Sequence, residues 1–262
     1  MKIVRTIDAS GPFYGELLNE HTVRRLQDAP FGACMPIGAE LPLGRVLAPL
    51  EPVNIFCIGR NYRAHAAETG SAVPELPLIF MKPTTAVVGP GDAIRLPSAA
   101  PSEVDFEAEL AIVIGRRARH VTEAAALEHV LGYTCANDVS ARDCQRNDKQ
   151  WARAKGFDTF CPLGPCLVTA DELDPADVRV ESRLNGKLMQ SARTRDMIHS
   201  CARLVSYLSQ QFTLLPGTLI LTGTPEGVGM ARTPPVFLRP GDEIEVRIEG
   251  IGAIANRVEA GS

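Results

Sequence analysis

The sequence predicts a β-rich α+β protein in which a small strand-rich module, residues 1–50, precedes a larger domain, residues 51–262. Three features lead there. Apolar runs of strand length recur between turn residues, at 53–59, 78–83, 106–114, 133–139 and 218–223. Only one long stretch, around 196–212, carries a clear helical period. No repeat of 20–50 residues points to a solenoid or propeller.

Along residues 1–50, Ser10-Gly11-Pro12, Pro30-Phe31-Gly32, Pro36-Ile37-Gly38 and Pro42-Leu43-Gly44 cut the chain into short apolar pieces, which suits a compact strand module. Pro49 and Pro52 bracket the connection to the larger domain. Val53 to Gly59 reads as a buried strand that runs into a short polar helix from Asn61 to Glu68. Leu78 to Pro83 is a second strand, Phe106 to Ile114 a third and Tyr133 to Val139 a fourth. Between the last two, Thr122 is placed to cap a helix with Glu123 in its first turn and Gly132 at its exit. Apolar residues at 197, 198, 201, 204, 205, 208 and 212 give the long helix, which Pro216-Gly217 stops. Thr218 to Gly223 returns to strand, and Gly241 to Val258 reads as a hairpin around Glu249-Gly250.

Composition removes several classes of function. With 45% hydrophobic and 22% charged residues, the chain has material for a packed core, against a disordered or fibrous protein. The 27 basic and 31 acidic residues leave a formal charge of −4, and aromatics are 5%, so neither nucleic acid nor an anionic membrane is the expected partner. No run approaches the roughly 18 apolar residues of a membrane helix. The start, Met1-Lys2-Ile3-Val4-Arg5, meets charge at once and lacks the apolar core of a signal peptide. Seven cysteines, an odd number with no C-x-x-C pair, argue against a disulfide framework or a thiolate zinc site. They read as small buried hydrophobes, and the expected location is cytoplasmic.

The chemistry concentrates in Asp105-Phe106-Glu107-Ala108-Glu109-Leu110-Ala111. Strand alternation puts Glu107, Glu109, Ala111 and Val113 on one face, and Phe106, Leu110, Ile112 and Ile114 on the other. Cα atoms two residues apart on a strand lie roughly 6.5–7 Å from one another, so the two carboxylates can converge on one ion. An exposed polar face is the plainer account of such a pair. Here the same face continues into Ala111 and Val113, which takes the strand into a core, where two anions need a cation. Asp138 supplies a third carboxylate at the end of another apolar strand. Three carboxylates without Cys or His make a hard oxygen site, favouring Mg²⁺ or Mn²⁺, with Ca²⁺ also admitted, over Zn²⁺. Arg142 and Asp143, next to each other, read as a structural ion pair.

Among five histidines, His65 stands apart because Glu68 lies three residues later on the same helical face and can orient its ring. A solvated surface pair is the alternative. Lys155 enters an apolar run and is placed to neutralise an anion, although lysines at such positions are more often solvated. The loop Thr222-Gly223-Thr224-Pro225-Glu226-Gly227 lacks a phosphate-loop ending, yet can place hydroxyls and N–H groups near a small carboxylate.

Taken together, these segments resemble the fumarylacetoacetate hydrolase superfamily, its acylpyruvase and 2-hydroxyhepta-2,4-diene-1,7-dioate isomerase members in particular. The matching pieces occur in the family's order over residues 53–258. They are Gly59-Arg60-Asn61-Tyr62 with His65 and Glu68, Phe80-Met81-Lys82-Pro83, Glu107-Ala108-Glu109-Leu110, Asn137-Asp138-Val139-Ser140-Ala141-Arg142-Asp143 with Gln145, Lys155-Gly156-Phe157, Asn185-Gly186 with Asp196-Met197-Ile198, and Leu221-Thr222-Gly223-Thr224-Pro225 with Gly227-Val228-Gly229. The resemblance implies a mixed β-sheet roll or barrel, assembled as a homodimer, with a divalent ion on Glu107, Glu109 and Asp138. It implies that His65 and Glu68 form a water-activating pair on a lid. Lys155 matches a catalytic position, and Arg60, Gln145 and Thr224 match positions that contact a small anionic 2-oxo acid. The implied reaction is hydrolytic C–C cleavage of an acylpyruvate-like acid through a stabilised enolate. Isomerisation or decarboxylation of a 2-oxo or dienoic diacid, or metal binding without catalysis, are the alternatives.

Overall fold

A computed structural model describes residues 1–32 and 34–261 of the chain. Its centre is the strand Ala108–Ile114, whose seven residues are all buried because both faces meet apolar layers. Leu110, Ile112 and Ile114 pack in one cluster with Val205, Leu208, Val246 and Ile254. Ala111 and Val113 pack in a second, with Ile55, Cys57, Leu219 and Leu221. The alternation expected for this strand is the one observed.

Around it runs a mixed twelve-stranded sheet. Its main path is Pro36–Pro42, Thr22–Leu26, Gly11–Asn19, Lys2–Asp8, Cys161–Thr169, Val130–Asn137, Ala108–Ile114, Thr218–Leu221, Asn54–Gly59 and Leu78–Lys82. The first four strands in sequence form a meander that joins this sheet through Lys2–Asp8, antiparallel to Cys161–Thr169. Thr218–Leu221 runs parallel to Asn54–Gly59, while Ala108–Ile114 is antiparallel to both of its neighbours. A five-stranded sheet contains the expected C-terminal hairpin, Glu243–Ile248 with Gly252–Ala260, and packs Val246, Ile248 and Ile254 against the first cluster. Helices are few and short, as expected of a β-rich α+β chain. No helix is long and apolar enough to cross a membrane, and all seven cysteines are free.

Three expected elements are shorter or different, each for a local reason. The helix expected over 196–212 is Cys201–Gln211, with the Ser200 hydroxyl accepting the Arg203 N–H at 3.2 Å. Met197 and Ile198 stay outside it, since Met197 bridges to Tyr62 and the Ile198 and His199 N–H groups donate to Asn61 at 2.7 and 2.8 Å. The same engagement of Asn61 delays the helix expected from 61 to 68, which spans Arg63–Glu68. The segment after Thr122 is a 3₁₀ helix, Glu123–His129, without a side-chain cap. There the Ala125 N–H closes onto the Thr122 carbonyl at 3.2 Å, and the chain passes straight into the strand Val130–Asn137.

Removing side-chain volume from the central strand tests this frame. Ile112→Ala is expected to lower the unfolding free energy by about 2–5 kcal/mol in urea melts. It should leave divalent-ion affinity unchanged, because Ile112 points away from the face that carries Glu109.

Candidate metal centre

The three acidic residues meet where the central hairpin opens. Ala108 pairs with Asn137 and Glu109 with Ala136, and the ladder breaks for two residues before Asp105 pairs with Ser140 in the same register. The Asn137 side-chain oxygen accepts the Glu107 N–H at 2.9 Å, and the Asp138 N–H donates to the Glu107 carbonyl at 2.9 Å. Glu107 and Asp138 thereby become cross-strand neighbours, with Glu109 two residues inward on the same face. One carboxylate oxygen from each of the three lies within 4.8 Å of the others, and all three residues are buried.

Cations surround two of them. Lys155 Nζ donates to Glu107 at 2.8 Å and to Asp138 at 2.7 Å. Lys82 Nζ lies 2.6 Å from the other Asp138 oxygen. Arg142 contacts Glu107 at 2.8 Å and Asp105 at 2.9 Å. Among the described residues no cation pairs with Glu109, whose Oε2 accepts only the Gly223 N–H, at 2.6 Å. Gly223 has φ +99°, and a Cβ there would lie 2.6 Å from that of Asn61, so glycine is required for this contact.

Burial raises the pKa of Glu107, but Lys155 and Arg142 outweigh it and hold the carboxyl well below its usual range. Burial also raises that of Glu109, and there the neighbouring Asp138 and Glu107 raise it further. Four buried carboxylates, counting Asp105, thus face three buried cations, and Glu109 is the one that no cation pairs with among the described residues. A hard divalent cation fits this donor set: it takes oxygen ligands and would offset the carboxylate that no cation among the described residues pairs with.

Glu107, Glu109, Asp138, Arg142 and Lys155 line a cavity of about 250 Å³ with His65, Arg60, Gln145, Trp151, Thr224 and others. All nine residues singled out from sequence border it except Glu68, which stands behind His65. His65 Nδ1 is 2.8 Å from Glu68 Oε1, and the Gly227 N–H donates to Glu68 Oε2 at 2.8 Å, so the pair is built into the fold and not solvated. Arg60 adopts φ +56°, an uncommon conformation for a side-chain-bearing residue, with its guanidinium 5.8 Å from the Trp151 ring centroid.

Three of these side chains also make contacts within the chain. Lys155 is bound to the acidic cluster, where it neutralises the carboxylates of the chain itself. Gln145 accepts from Arg142 at 2.9 Å, and the Thr224 hydroxyl donates to the Ala108 carbonyl at 2.9 Å while accepting from Gln190. The expected Arg142–Asp143 pair does not form: consecutive residues of the helix Arg142–Asn147 point apart, and Arg142 turns inward to Asp105 and Glu107. Sequence reasoning assigned no role to Lys82 or Asp105. Asp105 continues the two-residue alternation of Glu107 and Glu109, and Lys82 ends an otherwise apolar strand, so both carried a signal.

The family described as "Fumarylacetoacetate (FAA) hydrolase C-terminal" matches residues 54–259, and the one described as "Rv2993c-like, N-terminal" matches residues 1–49. The chain is 49% identical over 243 residues to Protein Rv2993c of Mycobacterium tuberculosis, covering 92% of this chain and 89% of that protein. It is 50% identical over 216 residues to the mitochondrial oxaloacetate tautomerase FAHD2B of Bos taurus, covering 81% of this chain and 68% of that one. Its structure resembles that of 5-carboxymethyl-2-hydroxymuconate delta-isomerase from Mycobacterium smegmatis, with TM-score 0.90 and 44% identity over 99% of this chain and 100% of the other.

The charge imbalance sets a pH dependence. Because the folded chain favours the neutral form of Glu109, stability from this group is present at low pH and is lost as pH rises through its elevated pKa. Glu107 works oppositely, but its contribution is complete once pH exceeds the unfolded carboxyl value of about 4.3. Melting curves in chelator from pH 5.5 to 8.5 should therefore fall with pH, and Glu109→Gln should flatten that fall and abolish the stabilisation by added Mg²⁺ or Mn²⁺. A chelated wild-type protein as stable at high pH as at low pH would place no excess charge at Glu109.

Proposed function

The chain belongs to the fumarylacetoacetate hydrolase family, and from this premise we propose that it is a metal-dependent isomerase that interconverts the oxo and enol forms of a small 2-oxo diacid. One observation carries the reading: three buried carboxylates and a carboxylate-oriented imidazole border the same cavity. The names of its relatives, an oxaloacetate tautomerase and a muconate isomerase, support both the reaction and the substrate class.

Glu107, Glu109 and Asp138 would hold the ion, Mg²⁺ or Mn²⁺ by their all-oxygen chemistry. When bound, such an ion supplies electrostatic stabilisation for the negative charge of an enolate. His65 takes the proton from the carbon beside the oxo group. With Nδ1 on Glu68, the lone pair is kept on Nε2, and the imidazolium formed by the transfer is stabilised by the Glu68 carboxylate. Returning the proton to the oxo oxygen completes a tautomerisation, and returning it to a carbon further along a conjugated chain completes a double-bond shift. Arg60, at the cavity wall, offers positive charge to a substrate carboxylate. Lys155 draws Glu107 and Asp138 together, while Gln145 and Thr224 fix Arg142 and the Ala108 carbonyl beside them.

Hydrolytic cleavage of an acylpyruvate is the second reading. The same His65–Glu68 pair favours it, since it is equally equipped to take a proton from water. Decarboxylation needs only the half of the site that stabilises an enolate. The setting is the cytosol, in keeping with seven free cysteines.

With Mg²⁺ present, the protein should accelerate the enol–oxo exchange of oxaloacetate, followed by the loss of enol absorbance. His65→Ala should lower kcat by about 10²–10⁴-fold and leave ion binding intact. Cleavage of acetylpyruvate without any acceleration of the exchange would move the assignment to hydrolysis.

A further inference from the structure

We infer that Asp105 is a positioning residue that joins the two halves of the site, the His65–Glu68 pair and the acidic cluster, through a single buried carboxylate. The inference rests on the reading of His65 and Glu68 as the proton-transfer pair. Asp105 is fully buried on the two-residue strand Val104–Asp105, paired with Ser140–Ala141, and it touches neither the cavity nor the cluster oxygens.

Its two oxygens serve different partners. Oδ1 accepts the Gly229 N–H at 2.7 Å and the Phe106 N–H at 2.9 Å. Oδ2 accepts the Met230 N–H at 3.0 Å and Arg142 Nε at 2.9 Å. On one side Arg142 continues to Glu107 at 2.8 Å. On the other, the loop that supplies Gly229 and Met230 also supplies the Gly227 N–H to Glu68, which in turn faces His65. Every link from His65 to Glu107 is a hydrogen bond or ion pair, apart from the covalent step through Val228 between Gly227 and Gly229.

The loop is shaped for that contact. A Cβ at position 229 would lie 1.8 Å from the Val236 carbonyl and 2.6 Å from Asp105 Oδ1, so only glycine brings the backbone this close. A carboxylate needed solely as a counter-ion for Arg142 has no use for two successive loop N–H groups. Charge-assisted bonds to backbone donors are short and directional, which makes the carboxylate a stiff joint. Through it, a displacement of Arg142 at the cluster is felt by the loop under Glu68.

Asp105→Asn keeps the size but turns an amide N–H₂ towards Arg142 or the loop, donor against donor. Misplacing the proton-transfer pair in this way should lower kcat by about 10²-fold. In a double-mutant cycle with Glu68→Gln, a residue that Asp105 does not touch, the double variant should be no more than about 3-fold worse than the poorer single one. Losses that multiply would overturn the inference. Hydrogen exchange on the wild-type protein gives a readout that needs neither activity nor a folded variant. Adding Mg²⁺ should slow exchange at Gly229 and Met230 by tenfold or more relative to the Asn185–Gly186 turn, and equal slowing or none would refute the joint. If the wild type turns over no 2-oxo acid, the proton-transfer reading fails while the exchange result still decides whether the two halves are coupled.

Discussion

Three buried carboxylates held within 4.8 Å of one another form the constraint on which the other features depend. At that separation, each pair of ionised groups repels by about 3–4 kcal/mol at an effective dielectric near 20, and burial adds a desolvation cost. Lys82, Arg142 and Lys155 offset most of this, yet one negative charge is left over, on Glu109. A cluster kept for stability alone would be better replaced by apolar side chains of similar volume. A nearly balanced set, one cation short among the described residues, is a donor set that suits a bound cation.

The fold supplies what such a cluster needs. A strand buried on both faces has no freedom to relax, so Glu107 and Glu109 cannot swing out to water. The cations arrive from separate parts of the chain: Lys82 from the edge of the main sheet, Arg142 from the helix after Ser140–Ala141, and Lys155 from the helix Ala152–Gly156. Loops with glycines at 223, 227 and 229 then bring backbone N–H groups to Glu109, Glu68 and Asp105 in turn. The groups that border the cavity are thus held by hydrogen bonds to the strands and loops around them.

Much of this was legible in the sequence, and the limits have clear causes. Period-2 alternation identified the face of Glu107 and Glu109, and the i,i+3 spacing identified His65 with Glu68, because both rules are local. The neighbours of Asp138 were not legible, since they depend on the register that sets Ala108 opposite Asn137. The contacts of Lys155 with Glu107 and Asp138 are not legible either, because nothing in its own segment reveals two carboxylates from elsewhere at 2.7 and 2.8 Å. Arg142 was matched to its sequence neighbour Asp143, whereas helical geometry separates consecutive side chains and burial favoured Asp105. The helix expected from 196 failed for a similar reason: Met197 and Ile198 keep the apolar period, but their backbone is claimed by Tyr62 and Asn61 from far earlier in the chain.

The central claim is that the shortfall of one cation at Glu109 is made good by a divalent ion. A crystal structure of the protein grown with Mn²⁺, with anomalous scattering collected to locate the metal, tests it most directly. The account predicts one strong peak inside the cavity, bonded to an oxygen from each of Glu107, Glu109 and Asp138. A cavity without such a peak at saturating Mn²⁺, or a peak that leaves Glu109 unbonded, would contradict it.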